Sequence, residues 1–129
     1  MEVTSYERGD LSGIVSLCEC EHWDSYTEDP ERTHRTLTAP GVTAVVAREK
    51  GAVVGFAYVQ GDGEIQAHLS LIVVAASRRR GGIARQLLAR AHEVGGGRRI
   101  DLVTDDAADF YEALHHRRMK GYRIYPPFT

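Results

Sequence analysis

The sequence predicts a mixed α/β (α+β) protein with helices packed on a central mixed sheet. Valine-rich runs separated by tight turns at Lys50-Gly51 and Gly61-Asp62-Gly63 predict three consecutive antiparallel strands. A later strand, helix and strand in succession predict a parallel pair. The 129 residues, 43% apolar and 26% charged, have the balance of one soluble globular domain spanning residues 1–129. No apolar run approaches the roughly 18 residues of a membrane span, so no membrane partner is expected.

The first part of the chain predicts a short strand and two helices. Val3–Tyr6 is the strand. Asp10 is the predicted cap of a helix in which Leu11, Ile14 and Cys18 fall on one apolar stripe. Asp29-Pro30 predicts the start of the second helix, because proline is favoured at the first helical position, and Pro40-Gly41 ends it.

The rest of the chain alternates between sequence patterns typical of strands and of helices. The complete predicted order of elements is β-α-α-β-β-β-α-β-α-β. The predicted strands are Val42–Arg48, Ala52–Gln60, Glu64–Val74, Ile100–Thr104 and Tyr122–Tyr125. The predicted helices are Gly82–Val94, ended by three glycines, and Ala107–His115.

The net charge of −2 conceals a strong asymmetry along the sequence. Residues 1–40 carry nine acids and three bases, whereas residues 78–100 carry seven arginines and one glutamate. A nearly neutral protein is a poor general binder of nucleic acid, but a local basic patch suits one polyanionic ligand. The two cysteines, Cys18 and Cys20, lie too close together to bridge each other. Two cysteines that do not bridge predict reduced thiols, and they provide no metal site. Because the first residues also form no basic and apolar leader, a cytoplasmic protein is predicted.

The arginine and glycine-rich turn at residues 78–85 carries the most chemical information. It follows a buried strand and precedes an amphipathic helix. A helix N-terminus presents unpaired N–H groups and about half a positive charge, and glycines let a ligand approach the backbone. This arrangement predicts a cradle for a diphosphate. Neither the Walker spacing nor the Gly-x-Gly-x-x-Gly dinucleotide pattern is present.

The turn Arg79-Arg80-Gly81-Gly82-Ile83-Ala84 resembles the coenzyme A signature, Arg/Gln-x-x-Gly-x-Gly/Ala, of the GCN5-related N-acetyltransferase (GNAT) superfamily. The order of elements is also similar over nearly the whole chain. The resemblance implies an N-acetyltransferase that uses acetyl-CoA as cosubstrate. It further implies that the backbone of Ile72, Val73 and Val74 pairs with the pantetheine arm, and that the N–H groups of Arg80 through Arg85 hold the pyrophosphate. Arg78, Arg79 or Arg85 would reach the adenosine phosphate.

Phe110-Tyr111 resembles the Phe-Tyr pair of the family's C-terminal helix, where the tyrosine commonly protonates the leaving thiolate. A phenol of pKa about 10 suits that task, so Tyr111 is the predicted general acid. In the family this pair is followed by Leu-Gly-Phe, but here Leu114 is followed by His115 through Lys120 before Gly121-Tyr122, so the Gly-Phe is absent or displaced by an insertion. The aim of Tyr111 is therefore open, with Tyr122 and Tyr125 as weaker alternatives for the acid.

His68 lies six residues before Val74, the offset at which several family members carry their base. A histidine titrates near pH 6.5, which suits removal of a proton from an amine. Glu64, Asp105 and a bound water remain alternatives.

The region of the first two helices usually shapes the family's acceptor pocket. Here it combines acids with aromatic residues, namely Glu19, Glu21, Asp24, Glu28, Asp29 and Glu31 with Trp23 and Tyr26. The pattern suits a cationic amine acceptor, either a small molecule or a peptide, although a solvated acidic surface remains the alternative. A second hypothesis is an inactive acyl-CoA-binding sensor or partner subunit. The sequence is compatible with a monomer or a homodimer.

Overall fold

The computed structural model describes residues 1–128, and within them five strands form one mixed sheet in the order β1-β2-β3-β4-β5. The strands are β1 (Glu2–Ser5), β2 (Val42–Glu49), β3 (Ala52–Gly61), β4 (Gln66–Val74) and β5 (Arg99–Asp101). Neighbours are antiparallel from β1 to β4, and β4 pairs with β5 in parallel. The predicted fold class, a mixed sheet flanked by helices, is confirmed.

Helices cover both faces of the sheet. They are α1 (Leu11–Cys20), α2 (Asp24–Thr27), α3 (Pro30–Leu37), α4 (Ile83–Gly95) and α5 (Ala108–Glu112). The start of α3 is as predicted, with Pro30 at the first helical position and the Asp29 carboxylate accepting from the backbone N–H of Arg32. Helix α2, which is a single turn, was not predicted from the sequence. No helix within residues 1–128 is long and apolar enough to cross a bilayer.

Two hydrophobic clusters lie on opposite faces of the sheet. On one face, Leu87 and Ala91 of α4 pack against Val45 and Val59. On the other, Ile14 and Cys18 of α1 pack against Val46, Phe56 and Tyr58. Leu87 and Phe56 are both fully buried, so each face has a well-packed centre.

A β-bulge interrupts β4 at Ser70. Tyr58 is paired with Leu71 and the next residue, Val59, is paired with Leu69, so Ser70 is extra on β4. The bulge reverses the usual alternation, because Leu69 packs on the α4 face while Leu71 packs on the α1 face.

The strands β4 and β5 part after a short pairing. They are in register only from Gln66 to His68, opposite Arg99 to Asp101. Beyond this point β4 continues to Val74, while the chain after Asp101 leaves the sheet. The separation opens a gap beside the second half of β4, and the candidate site lies in this gap.

The predicted strand Tyr122–Tyr125 is wrong, because no strand forms in that segment. Its Tyr, Ile and Tyr favour extended structure, but strand propensity takes effect only against a neighbouring strand or a buried face. The predicted strand Ile100–Thr104 and helix Ala107–His115 are both shorter than expected, at Arg99–Asp101 and Ala108–Glu112.

Asp10 stands at the cap position of α1 as predicted, but its side chain makes no capping hydrogen bond to that helix. The carboxylate instead accepts from the guanidinium of Arg48 and, at 2.9 Å, from the backbone N–H of Glu7. The stronger partner is a cation 38 residues away in sequence, which local spacing cannot reveal.

Candidate active site

A cavity of about 480 Å³ lies between the second half of β4, the turn before α4 and the start of α5. The sequence-predicted residues that line it are Ile72, Val73, Val74, Arg79, Arg80, Gly82, Ile83, Ala84, Arg85 and Tyr111. The fold therefore brings the residues predicted to bind coenzyme A and the predicted general acid, Tyr111, to one cavity. Gly81 is not part of the lining, although it belongs to the same turn.

The turn before α4 exposes backbone donors to the cavity. Arg80 and Gly82 both have positive φ, at 67° and 83°, and this left-handed backbone reverses the chain into the helix. The first helical bond runs from Gln86 N to Gly82 O at 3.1 Å, and no side chain caps the helix start. The N–H groups at the start of α4 are therefore directed out of the helix, and with the helix dipole they can bind an anion.

The arginines around the turn differ in what they contact. Arg79 donates to the Val74 carbonyl at 3.1 Å and pairs with the carboxylate of Glu21, so it links the end of β4 to the end of α1. Arg78 pairs with Glu49. Arg80 and Arg85 line the cavity and form no salt bridge within residues 1–128. Of the cations at the turn, these two are available for a phosphate.

Tyr111 lies on the α5 side of the cavity. It is half-buried, packs against the cluster beneath α4, and contacts Phe110 edge-on with ring centroids 5.0 Å apart. Burial raises the pKa of its phenol, and the negative charge of Asp106 raises it further. The phenol therefore stays protonated at neutral pH and can donate a proton.

His68 does not line the same cavity as Tyr111. It lies before the bulge and, with Gln60, Asp62 and Asp101, lines a second cavity of about 570 Å³. His68 is exposed and pairs in register with Asp101 on β5. The other sequence candidates for the base, Glu64 and Asp105, also lie outside the cavity of Tyr111.

The acidic segment before β2 contacts the site through Glu21 and Trp23, which line the first cavity. Most of its other acids are held by arginines of the same region, in the pairs Glu28–Arg32, Asp29–Arg35 and Glu31–Arg8. Tyr26 donates to or accepts from the hydroxyl of Tyr58 at 2.6 Å, which ties α2 to the sheet. These salt bridges neutralise part of the negative charge that the sequence predicted for the region of the first helices.

Asp106 and Ala107 also line the cavity, although neither was predicted as a site residue. The signal for them was their position in the short connection between β5 and the helix of Tyr111. Because β4 and β5 part after a short pairing, the connection that follows β5 lies beside the cavity.

The sequence model of the Acetyltransferase (GNAT) domain matches residues 40–117. The range includes β4, the arginine and glycine-rich turn, and Tyr111. No curated protein sequence matches the chain significantly.

Solved structures with the same fold cover nearly the whole chain. One is the aminoglycoside N-acetyltransferase AAC(6')-Iy in complex with CoA, with a TM-score of 0.77, 21% identity, and coverage of 99% of this chain and 95% of that chain. A Trypanosoma brucei acetyltransferase has a TM-score of 0.74 and 20% identity, over 96% of this chain and 97% of that chain. A transcriptional regulator from Bacillus halodurans C-125 has a TM-score of 0.79 and 21% identity, over 96% of this chain and 98% of that chain. The TM-scores show a shared fold, and at 20–21% identity these likenesses show the fold alone.

Proposed function

Since the chain belongs to the acetyltransferase (GNAT) domain family, we propose that it transfers an acetyl group from acetyl-CoA directly to an amine. The observation that carries the proposal is the single cavity in which the end of β4, the start of α4 and Tyr111 meet. The acceptor is an amine of a small molecule or a peptide. Acetyl-CoA supplies the activated thioester.

The residues around the turn fit a diphosphate-bearing cosubstrate. The N–H groups at the start of α4 supply hydrogen-bond donors and a positive helix end. Arg80 and Arg85 add cationic side chains that are not committed to acids of the chain. Arg79, which already bridges Val74 and Glu21, has a positioning role in this proposal.

The chemistry requires a proton donor for sulfur and a proton acceptor for the amine. The Tyr111 phenol donates its hydrogen bond and then its proton to the sulfur as the C–S bond breaks, so that the coenzyme leaves as a thiol. Because a phenol binds its proton more tightly than a thiol, with a pKa of about 10 against about 8.5, the phenolate then regains a proton from water. The amine loses its proton to His68 or to water. Because His68 lines the second cavity, water is the acceptor that the geometry of the first cavity favours.

The acceptor side combines Trp23 and Asp106 with Glu21, whose carboxylate also pairs with Arg79. An aromatic face with nearby carboxylates attracts a cationic amine. Among similar folds, AAC(6')-Iy is an aminoglycoside N-acetyltransferase. An aminoglycoside therefore belongs in the set of test amines, beside a diamine and a peptide with a free amino terminus.

Release of free thiol from acetyl-CoA in the presence of these amines tests the function. The active protein is expected to release thiol only when an amine is present, and Tyr111→Phe should lower kcat by about 100-fold, a typical general acid contribution. Binding of CoA, measured by calorimetry, should be nearly unchanged, since the phenol acts on the sulfur. Tyr125→Phe is the matched control, because it removes the same hydroxyl from a tyrosine that is exposed and lies outside the cavity. A Tyr111→Phe variant with normal turnover would remove the acid assignment.

The second candidate, an acyl-CoA-binding protein without turnover, is favoured only by the departure at His115 through Lys120, directly after the helix of Tyr111. It predicts binding of CoA with no thiol release for any amine. The same two measurements separate it from the enzyme.

A further inference from the structure

Two carboxylates line the cavity that holds Tyr111, and they differ in what they contact. The carboxylate of Glu21 pairs with Arg79, whose Nε also donates to the carbonyl of Val74. Asp106 forms no salt bridge within residues 1–128. No histidine, lysine or cysteine of the described chain belongs to this lining. Among the described residues of the lining, Asp106 is therefore the acid that is available to take a proton.

The connection before α5 positions one of two adjacent acids in the cavity. The hydroxyl of Thr104 accepts from the backbone N–H of Ala107 at 3.1 Å, which closes a short turn around Asp105 and Asp106. Asp106 lines the cavity and Asp105 does not. The sequence predicted Asp105 as one alternative for the base, and the structure brings its neighbour to the cavity instead.

Asp106 lies close enough to Tyr111 for its charge to act on the phenol. Burial is the larger cause of the raised pKa of Tyr111, and the negative charge of Asp106 is the second. Both side chains line the same cavity and belong to one short stretch of chain that ends in α5. The cavity therefore holds a proton donor and a proton acceptor side by side.

We propose that Asp106 is the general base of the reaction and takes a proton from the attacking amine, directly or through one water. This inference rests on the proposed acetyl transfer. A neutral amine nitrogen becomes acidic as its bond to the acetyl carbon forms, because the nitrogen then carries positive charge. A carboxylate can accept a proton from such a nitrogen, although it is too weak a base to deprotonate a free alkylammonium ion efficiently.

The protons balance over one cycle. One N–H proton of the amine goes to the Asp106 carboxylate as the C–N bond forms, and Tyr111 gives its proton to the sulfur as the C–S bond breaks. The products are the amide and the thiol of CoA, with Asp106 protonated and Tyr111 deprotonated. Because a phenol holds a proton more tightly than a carboxylic acid, the proton of Asp106 passes through water to Tyr111, and both groups return to their starting states.

Thiol release by Asp106→Asn at saturating acetyl-CoA tests the assignment. Its kcat is expected to fall by about 100-fold, a typical contribution of a general base, whatever the change in KM for the amine. Asp109→Asn is the matched control, because Asp109 is an exposed acid of α5 that forms no salt bridge within residues 1–128 and lies outside the cavity. This control should release thiol at the native rate. Binding of CoA, measured by calorimetry, shows that both variants are folded.

The outcomes separate this inference from the proposed function. An unchanged kcat in Asp106→Asn, beside an active native protein, would overturn the inference and leave the acetyl transfer standing. This holds even if KM rises, since the carboxylate would then only attract a cationic amine. An equal loss in Asp109→Asn would also overturn the inference, because any acid of the region would then serve. A native protein that releases no thiol with any amine would overturn the proposed function and this inference with it.

Discussion

Asp10 and Arg48 form a buried ion pair between the start of α1 and strand β2. Their side chains are only 8% and 16% exposed. Burial alone opposes ionisation of the carboxyl, but the hydrogen bonds from Arg48 and Glu7 N–H, with the charge of Arg48, outweigh it and lower the pKa of Asp10. Arg48 also donates to the hydroxyl of Thr4, so the guanidinium ties β1, β2 and α1 together.

Asp10→Ala is expected to lower the free energy of unfolding by about 3–5 kcal/mol, because it leaves the Arg48 charge buried without its partner. Glu31→Ala, which breaks the exposed pair with Arg8, should cost less than about 1 kcal/mol. Urea unfolding at pH 7 measures both. Equal losses in the two variants would show that burial does not govern the Asp10 pair.

The same pair predicts an acid dependence. A carboxyl whose folded-state pKa is lowered contributes fully above its unfolded pKa, about 3.9, and the contribution is lost as pH falls through the folded value. Below a pH of about 4, the free energy of unfolding of the native protein should therefore fall more steeply than that of the Asp10→Ala variant.

At the scale of elements, the start of α4 depends on the left-handed backbone of Gly82. Nothing lies within 4 Å of a Cβ built there, so alanine would be strained by conformation and not by a clash. Gly51, with φ of 80° in the turn between β2 and β3, has the same open surroundings away from the cavity.

Gly82→Ala and Gly51→Ala are each expected to lower stability by about 1–2 kcal/mol. Only Gly82→Ala should also weaken CoA binding, by about tenfold or about 1.4 kcal/mol, since it re-aims the N–H groups at the helix start. Thermal unfolding and calorimetry measure the two effects. If both variants bind CoA equally well, the turn is not the binding element.

The elements that the sequence predicted correctly are those with a strong local signal. The strands β2 and β3 follow from valine-rich runs bounded by turns, and α4 follows from its apolar stripe. The short α2 has no such signal, since four residues cannot show a helical repeat. The bulge at Ser70 was equally invisible, because an extra residue on one strand is defined only by its partner strand.

In the molecule as a whole, some parts of the site are predictable from a local stretch of sequence, and others depend on how the sheet and helices assemble. The turn and Tyr111 were predictable from contiguous residues. The bridge from Arg79 to Glu21 joins residues 58 apart in sequence, and it depends on α1 and β4 ending side by side. The placement of His68 in the second cavity depends on where β4 and β5 part, which is also a property of the assembled sheet.

Whether the turn before α4 binds a diphosphate is measured by calorimetry with CoA and with pantetheine, which lacks the diphosphate and the nucleotide. CoA is expected to bind, and pantetheine to bind at least about 100-fold more weakly, because each hydrogen bond to a charged group contributes about 1.5–3 kcal/mol. Arg80→Ala with Arg85→Ala should reduce the difference. No binding of CoA, or equal binding of the two compounds, would contradict the assignment of this turn as a diphosphate cradle.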